Sequence, residues 1–385
     1  MTSTVGNAGL RSTRGLSAQE SSKVSLADVR QRNRALILQA LYKGEPQSRA
    51  DLARATGLTR VTASDVISEL LELNLVEEVG QRSETRVGKP ATLVTVKYEA
   101  HNIVALELSD EQEFRGAVLT LGGDIIKRDS ITLDGEKGDD ALKKVLQLAR
   151  RLIKKAHAPV LGIGVGTPGV VTAQGVIAYA PNLGWSNLDL SSELTAQLSL
   201  PAYVANDADT AVLAESTFGE GSVAGLMLVQ IGHGVGAGIL CDGHLLRGPD
   251  GTAGEIGHTK VTDAEIECSC GRNGCLEALI AAPRLRARLK DVAEPQRSEE
   301  LTQAGTMLGQ VIAPVVQALG LFDCVLYGPM ELLEDPFLEA TKTTVNGATS
   351  HFSDRMITVR LSALGGDGVL SGAAAHVLGG ELGLI

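Results

Sequence analysis

Cys268, Cys270 and Cys275 crowd three thiols into one short loop, and thiols so close must be bonded, buried or bound to something. The spacing is C-x-C-x4-C, and His258 lies upstream in the run Gly254-Glu255-Ile256-Gly257-His258. Three thiolates and one imidazole make a closed tetrahedral set, the usual composition of a structural zinc site. Gly271 and Gly274 let the backbone curl tightly enough to deliver them. With four protein donors no position is left for a metal-bound hydroxide, so the expected Zn2+ is structural, not catalytic. A chance cluster of buried thiols is the competing explanation. The spacing favours metal over disulfides, as expected for a cytoplasmic chain.

A length of 385 residues calls for two or three domains. Hydrophobic residues at 44% and charged ones at 21% suit a globular protein with a sizeable core. Forty-four glycines with only 3% aromatics fit an α/β chain with many tight strand-to-helix turns. No apolar run is long enough to span a bilayer, and the polar start, Met1 to Glu20, lacks a signal-peptide core. A cytoplasmic protein with no membrane partner is expected. The net charge of −11 is split unevenly: residues 1–98 carry 14 Lys+Arg against 10 Asp+Glu (+4), and the remainder 21 against 36 (−15). A basic head on an acidic body allows DNA contact at the head and discourages it elsewhere.

Residues 1–23 are rich in Ser, Thr, Gly and Arg without periodicity and are expected to be a disordered tail. Residues 24–98 read as a winged helix-turn-helix. Leu36, Ile37, Ala40 and Leu41 recur at helical spacing within Leu26–Lys43, and Gly44 and Pro46 end that helix. Ser48, with Asp51 three residues on, caps a short helix that turns at Gly57. Thr59 caps a third helix, and two β-rich runs follow, Leu75–Val79 and Thr92–Val96. The third helix is then the reading helix, with Thr59, Arg60, Thr62 and Ser64 as candidate DNA contacts. The loop bearing Arg82, Arg86 and Lys89 is the wing, placed to press on the phosphate backbone or minor groove. A helical module for protein contacts is the alternative.

Residues 99–385 change to strand–turn–helix units, which implies a two-lobed α/β domain with a ligand cleft between lobes. His101–Leu108 and Phe114–Leu121 read as paired strands, and Asp140–Ala156 as a helix. Val160–Val165, Ala202–Ala205, Leu226–Ile231 and Cys324–Leu326 read as strands, with Gly166-Thr167-Pro168-Gly169 as a turn. Leu276–Val292 and Leu301–Leu319 read as helices, and a last helix is expected from Ser371 to about Val377.

His258 with Cys268-Ser269-Cys270-Gly271-Arg272-Asn273-Gly274-Cys275-Leu276-Glu277 resembles the signature of the ROK family (repressors, uncharacterised frames and sugar kinases). The upstream run Gly232-His233-Gly234-Val235-Gly236-Ala237-Gly238, with Asp242-Gly243-His244-Leu245, also matches. The preceding winged helix is what the repressor branch carries, the branch of the xylose and N-acetylglucosamine repressors. The resemblance implies an actin/hexokinase-like (ribonuclease H-like) domain whose C-terminal helix returns to the first lobe. It also implies a sugar pocket. Gly169, Asn182, Asn206, Asp207, Glu255, His258 and Glu277 match its sugar-binding positions. In the kinases the aspartate at Asp207 is the general base. His258 would hold zinc through one ring nitrogen and face the sugar with the other. Trp185, near the pocket wall, reads as core packing.

Active family members resemble Asp-x-Gly-Gly-Thr in the first hairpin of the domain, where backbone N–H groups cradle ATP phosphates. Here that place reads Leu108-Ser109-Asp110-Glu111-Gln112-Glu113-Phe114, with no glycine and three acidic residues. The second phosphate loop has Gly232-His233-Gly234 where kinases carry Gly-Thr-Gly. The resemblance therefore implies a non-catalytic sensor in which Ser109–Glu113 cannot hold ATP and Asp207 is a vestigial base. The expected partners are a sugar or sugar phosphate effector and near-palindromic operator DNA, bound by a homodimer or a dimer of dimers. Two other functions fit less well: a bifunctional ATP-dependent hexose or N-acylhexosamine kinase, and a protein-responsive regulator with a vestigial sugar pocket.

Overall fold

The computed structural model describes residues 25–81, 91–222, 224–333, 335–349 and 356–384. The N-terminal tail expected over 1–23 and the wing residues Arg82, Arg86 and Lys89 lie outside them.

The head opens with α1 (Leu26–Leu41), followed by the two-residue strand β1 (Gln47–Ser48), α2 (Arg49–Thr56) and α3 (Arg60–Glu72). Each helix starts where a hydroxyl accepts one of the orphan N–H groups of its first turn. Ser25 and Ser48 form capping boxes with Asp28 and Asp51, and Thr59 Oγ1 accepts from Thr62 N–H at 3.1 Å. Strands β2 (Val76–Gln81) and β3 (Thr92–Val96) complete a three-stranded sheet of order β1-β3-β2. Ile37, Leu41, Leu52, Ile67 and Leu70 are fully buried at its centre.

The body holds two five-stranded sheets of the same topology. The first lobe contributes β4 (Asn102–Glu107), β5 (Glu113–Thr120), β6 (Ile125–Thr132), α4 (Asp139–Lys155) and β7 (Val160–Thr167). A small sheet follows, β8 (Val170–Val171), β9 (Val176–Ala180) and β10 (Trp185–Asp189), then α5 (Leu190–Leu198) and β11 (Ala202–Asn206). Helix α6 (Asp207–Thr217) leads to the second lobe: β12 (Gly225–Ile231), β13 (Val235–Cys241), β14 (His244–Leu245), α7 (Leu276–Ile280), α8 (Ala282–Leu289) and α9 (Gln296–Leu319). The lobe closes with β15 (Asp323–Tyr327), α10 (Met330–Leu333), α11 (Phe337–Thr349) and β16 (Thr358–Leu361), and α12 (Gly368–Leu382) ends the chain's regular structure. The sheet orders are β6-β5-β4-β7-β11 and β14-β13-β12-β15-β16. In each, three antiparallel strands are continued by two parallel ones. This is the two-lobed ribonuclease H-like arrangement expected. Among the described residues no helix is long and apolar enough to cross a membrane.

The sequence pattern explains why these elements form. Helix α4 places Ala141, Val145, Leu148, Ala149 and Leu152 on one buried face, with Asp139 and Asp140 in its first turn and Lys154 and Lys155 in its last, as the helix dipole favours. Helices α6 and α12 are buried nearly all round because both are enclosed between the lobes; α12 is largely apolar, whereas α6 also buries Asp209, Thr210 and Glu215. Helix α12 lies on β4 and β7, and α6 lies on β12 and β13. The two helices pack on each other along their length, which makes them the hinge.

Several boundaries differ from the sequence reading. The helix expected over Leu276–Val292 breaks at Ala281 (ψ 141°), because Pro283 has no N–H and its ring rejects the carbonyl four residues back. The last helix starts three residues early, at Gly368, and runs to Leu382. Its glycines are tolerated since packing, not propensity, holds it. Strand β7 continues through Gly166 and Thr167, paired with Ala205 and Asn206 of β11. Helix α6 was not expected at all.

At the hinge crossing, a Cβ on Gly372 would fall 1.7 Å from the carbonyl oxygen of Thr210. No side chain fits without parting α6 from α12. Gly372→Ala is therefore expected to cost on the order of 3 kcal/mol. Thermal or denaturant unfolding reads this directly, and an unchanged midpoint would contradict so close a crossing.

Candidate functional site

The loop after η-type turn Ile256–His258 returns in a knot that ends at the N-terminus of α7. Backbone bonds tie it off: Cys268 N–H donates to Arg272 O at 2.8 Å, and Val261 N–H to Gly274 O at 2.8 Å. Gly274 sits at φ +77°, with Thr262 O only 2.0 Å from where a Cβ would stand. This closure brings His258, Cys268, Cys270 and Cys275 together, with all four ligand atoms within 4.8 Å of one another.

The spacings fit a tetrahedral ion. Zn–S bonds of about 2.3 Å at the tetrahedral angle put sulfurs about 3.8 Å apart, and a Zn–N bond of about 2.0 Å puts nitrogen about 3.6 Å from sulfur. Cys270 Sγ and Cys275 Sγ are 3.8 Å apart, and Cys268 Sγ is 3.6 Å from His258 Nδ1. Burial pushes the Cys268 and Cys275 thiols up, whereas the hydrogen bond from Arg272 pulls Cys270 down. Three thiolates this close repel unless a cation sits among them, so the donor set fits zinc.

His258 turns its other nitrogen, Nε2, away from the cluster towards Glu255, whose Oε2 is 3.6 Å off. Desolvation raises the Glu255 pKa and nearby His258 opposes the shift. Glu277, on the first turn of α7, reaches in two directions. Its Oε2 accepts from Val235 N–H (3.1 Å) beyond the β12–β13 turn, and its Oε1 accepts from Ser269 Oγ (2.5 Å) in the cysteine loop. It thus ties the metal loop to the turn Gly232-His233-Gly234, and any further ligand must share its remaining lone pairs.

Asn206 and Asp207 stand at the junction of β11 and α6. Asn206 caps the helix through Oδ1, which accepts from Ala208 and Asp209 N–H, and donates through Nδ2 to Gly169 O at 2.8 Å. Gly169 in turn packs on Tyr179 and Ala180, so Gly169, Asn206 and the turn bearing exposed Asn182 form one corner. Trp185 lies buried in the core of the first lobe and donates to Gly138 O at 2.9 Å, so it packs as expected. Asp207 accepts from Gln230 Nε2 at 3.0 Å, and burial raises its pKa to about 6. Asp209, raised by burial to about 7, feels both Asp207 and Glu255, which links this corner to the His258 side.

Two acidic residues escaped the sequence reading. One is Asp209. The other, Glu107, ends β4 buried beside Asp207 and Asp367, and desolvation raises it to about 7 despite its bond from Arg115. The signal was there: Glu107 is the one charge inside the apolar run Ile103–Leu108. Arg115 also donates to Gly366 O (3.0 Å), and Arg128 makes a two-pronged bond to Asp367 (2.6 and 2.7 Å). Guanidinium groups of the first lobe thus grip the segment that leads into α12.

In the head, Thr59, Arg60 and Val61 are exposed on α3, whereas Thr62 is half-buried with its hydroxyl 2.9 Å from that of Thr59. Ser64 is half-buried too.

Two measurements follow. Metal analysis should find about one zinc per chain, and Cys270→Ser should lower both metal content and thermal stability; a metal-free, equally stable protein would refute the centre. The carboxyls of Glu107, Asp207 and Asp209 titrate higher folded than unfolded, so each favours the fold when protonated. That contribution is complete below the unfolded values near pH 4 and fades as pH rises through about 6–7. Glu107→Gln, held neutral, should flatten the fall in Tm between about pH 4.5 and pH 7. A profile parallel to the parent's would contradict this.

Comparison with known proteins places these features. Residues 110–379 match the sequence profile of the ROK family. The xylose repressor of Caldicellulosiruptor bescii is 32% identical over 273 residues, covering 69% of this chain and 68% of its own. The DNA-binding transcriptional repressor Mlc of Escherichia coli is 25% identical over 384 residues, covering 90% and 93%. The crystal structure of a ROK family transcriptional regulator, a homologue of the Escherichia coli MLC protein, superposes with a TM-score of 0.81 at 23% identity over 92% of this chain and 98% of its own, which shows the shared fold. The chain belongs to the ROK family.

Proposed function

We propose that the protein is a sugar-responsive DNA-binding transcriptional regulator that represses genes of carbohydrate uptake or metabolism and transfers no phosphoryl group. The observation that carries this reading is that the capped three-helix head shares one continuous core with the first lobe and α12. Similarity to named repressors over most of the chain supports it, as does similarity to a DNA-binding transcriptional dual regulator.

In this reading a monosaccharide or its phosphate is held by Gly169, Asn182, Asn206, Asp207, Glu255, His258 and Glu277. Carboxylates and amides at converging positions supply the acceptors and donors that a polyol needs. Zinc, held by His258, Cys268, Cys270 and Cys275, supplies rigidity: it fixes the imidazole so that Nε2 faces the cleft. Phosphoryl transfer is disfavoured by the first hairpin. Asp110, Glu111 and Glu113 crowd it with negative charge, and Gln112 N–H is turned onto Asp110 at 2.8 Å, not outward to a phosphate. Glu107 has Arg115 as its counter-ion.

Helix α6 offers the link from cleft to DNA. Its N-terminus carries Asp207; at its other end Thr217 O accepts from Lys43 Nζ, which also lies 5.1 Å over the Phe218 ring. Lys43 follows α1 of the head, and its own N–H donates to Tyr98 Oη at 2.8 Å. A cation at a helix C-terminus is favourable, so movement of α6 moves the head's anchor. Arg60 and its neighbours on α3 would meet operator DNA, with Arg82, Arg86 and Lys89 on the wing, in a dimer spanning a near-palindrome. A sugar must bind one lobe arrangement more tightly than the other to shift this equilibrium.

The test is one preparation read three ways. Operator binding should respond to a sugar found by thermal-shift screening, and Arg60→Ala should weaken DNA affinity without changing sugar affinity. Lys43→Met should leave both affinities near the parent's but shrink their mutual effect. An ATP-coupled assay with sugar turnover, abolished by Asp207→Asn, would overturn the non-catalytic reading.

A further inference from the structure

The reading helix α3 turns Ala63, Val66, Ile67 and Leu70 inward against the head's core. Its outward stripe is therefore Val61, Asp65 and Ser68, at i, i+4 and i+7. Val61 is 71% exposed, a bare hydrocarbon side chain at the centre of the first turn. Folding gains little from it there, since it buries no face and β-branching is slightly unfavourable in a helix.

The hydroxyls around it are already engaged. The Thr59 hydroxyl caps the helix and meets the Thr62 hydroxyl, and Ser68 Oγ donates to Ser64 O at 2.9 Å. What the first turn offers to a partner is then the Arg60 guanidinium and, beside it, two methyl groups held in one preferred rotamer. In the major groove the one apolar feature on a base edge is the C5-methyl of thymine. The head is the basic part of the chain, although its surplus lies in residues 1–24 and 82–90 and not on α3, where Arg60 stands with Asp65, Glu69 and Glu72. Duplex DNA is the occupant that this overall balance and the DNA-binding reading favour.

Building on the DNA-binding reading above, we infer that Val61 sets operator preference by packing on the C5-methyl of one thymine in each half-site. Arg60, one residue earlier, anchors the helix on adjacent phosphate or guanine.

Deoxyuridine, which is thymidine without that methyl, isolates the contact. Duplexes are first selected from a random library with the full chain, and the thymines of the selected site are then replaced one at a time. Removing one methyl group should weaken parent binding by about fourfold, the equivalent of one buried carbon. Val61→Ala should bind the thymine and uracil duplexes equally, whereas Val61→Ile should keep the preference. Because the side chain is exposed, the variants should melt with the parent. A selected site whose thymines all tolerate uracil, or a preference that survives in Val61→Ala, overturns the inference while leaving DNA binding intact. Failure to enrich any sequence overturns the DNA-binding reading and this inference with it.

Discussion

Thr210 and Gly372 meet backbone to side-chain-free backbone, and that contact allows α6 and α12 to lie together between the two sheets. Each helix belongs to a different lobe. Helix α12 covers β4 and β7, and α6 covers β12 and β13. Glu215 fixes α6 to the second lobe by an ion pair with Arg360 (2.7 Å) and a bond from Ser362 (2.8 Å), while Arg360 also grips Asp323. Breaking such a buried network leaves a charge without a partner, so α6 follows its sheet as a rigid body. A change in lobe angle must then appear as sliding or rotation between α6 and α12, since neither can bend away from its sheet cheaply.

The same two helices reach the head. Gln39 of α1 donates to Gly383 O just past α12 at 2.6 Å, and Lys43 reaches the end of α6. The core of the head runs unbroken into Ile103, Leu119, Val377 and Leu378 of the body. At the opposite end of α6, the cleft collects carboxyls that burial keeps above their usual range, Asp207 and Asp209, with Glu107 at the adjoining strand end. The cysteine loop has little apolar core of its own, a local cluster of Cys268, Cys275, Ala278 and Ile266 among the described residues.

How much of this was legible in the sequence depends on how local the cause is. Two of the three helix starts in the head were visible because Ser48 and Thr59 act within three residues of themselves. The Cys3His set was visible because its spacing is itself the constraint. Helix α6 was not, for its residues Asp207–Thr217 carry no amphipathic stripe: burial on every side removes the period that betrays a helix. The break at Ala281 and the early start of α12 hid for a similar reason, since apolar texture continues across both. Among site residues, Gly169, Asn206 and Asp207 came from a resemblance and are brought into one corner; Glu107 showed in the sequence only as a lone charge in an apolar run, and its neighbours needed the fold. Its partner Arg115 lies across a β-hairpin, and its neighbour Asp207 is contributed by the far side of the sheet.

On the proposed function, binding at the Asp207 corner is carried to the head by the α6–α12 pair. Hydrogen exchange on the full chain, with and without a saturating sugar, tests it most directly. The account predicts altered protection in two separated places at once: at the N-terminus of α6 around Asp207, and at its far end around Thr217 and Phe218 together with residues 39–44 of the head. Altered protection confined to the cleft, in a protein whose DNA affinity still responds to the sugar, would contradict it.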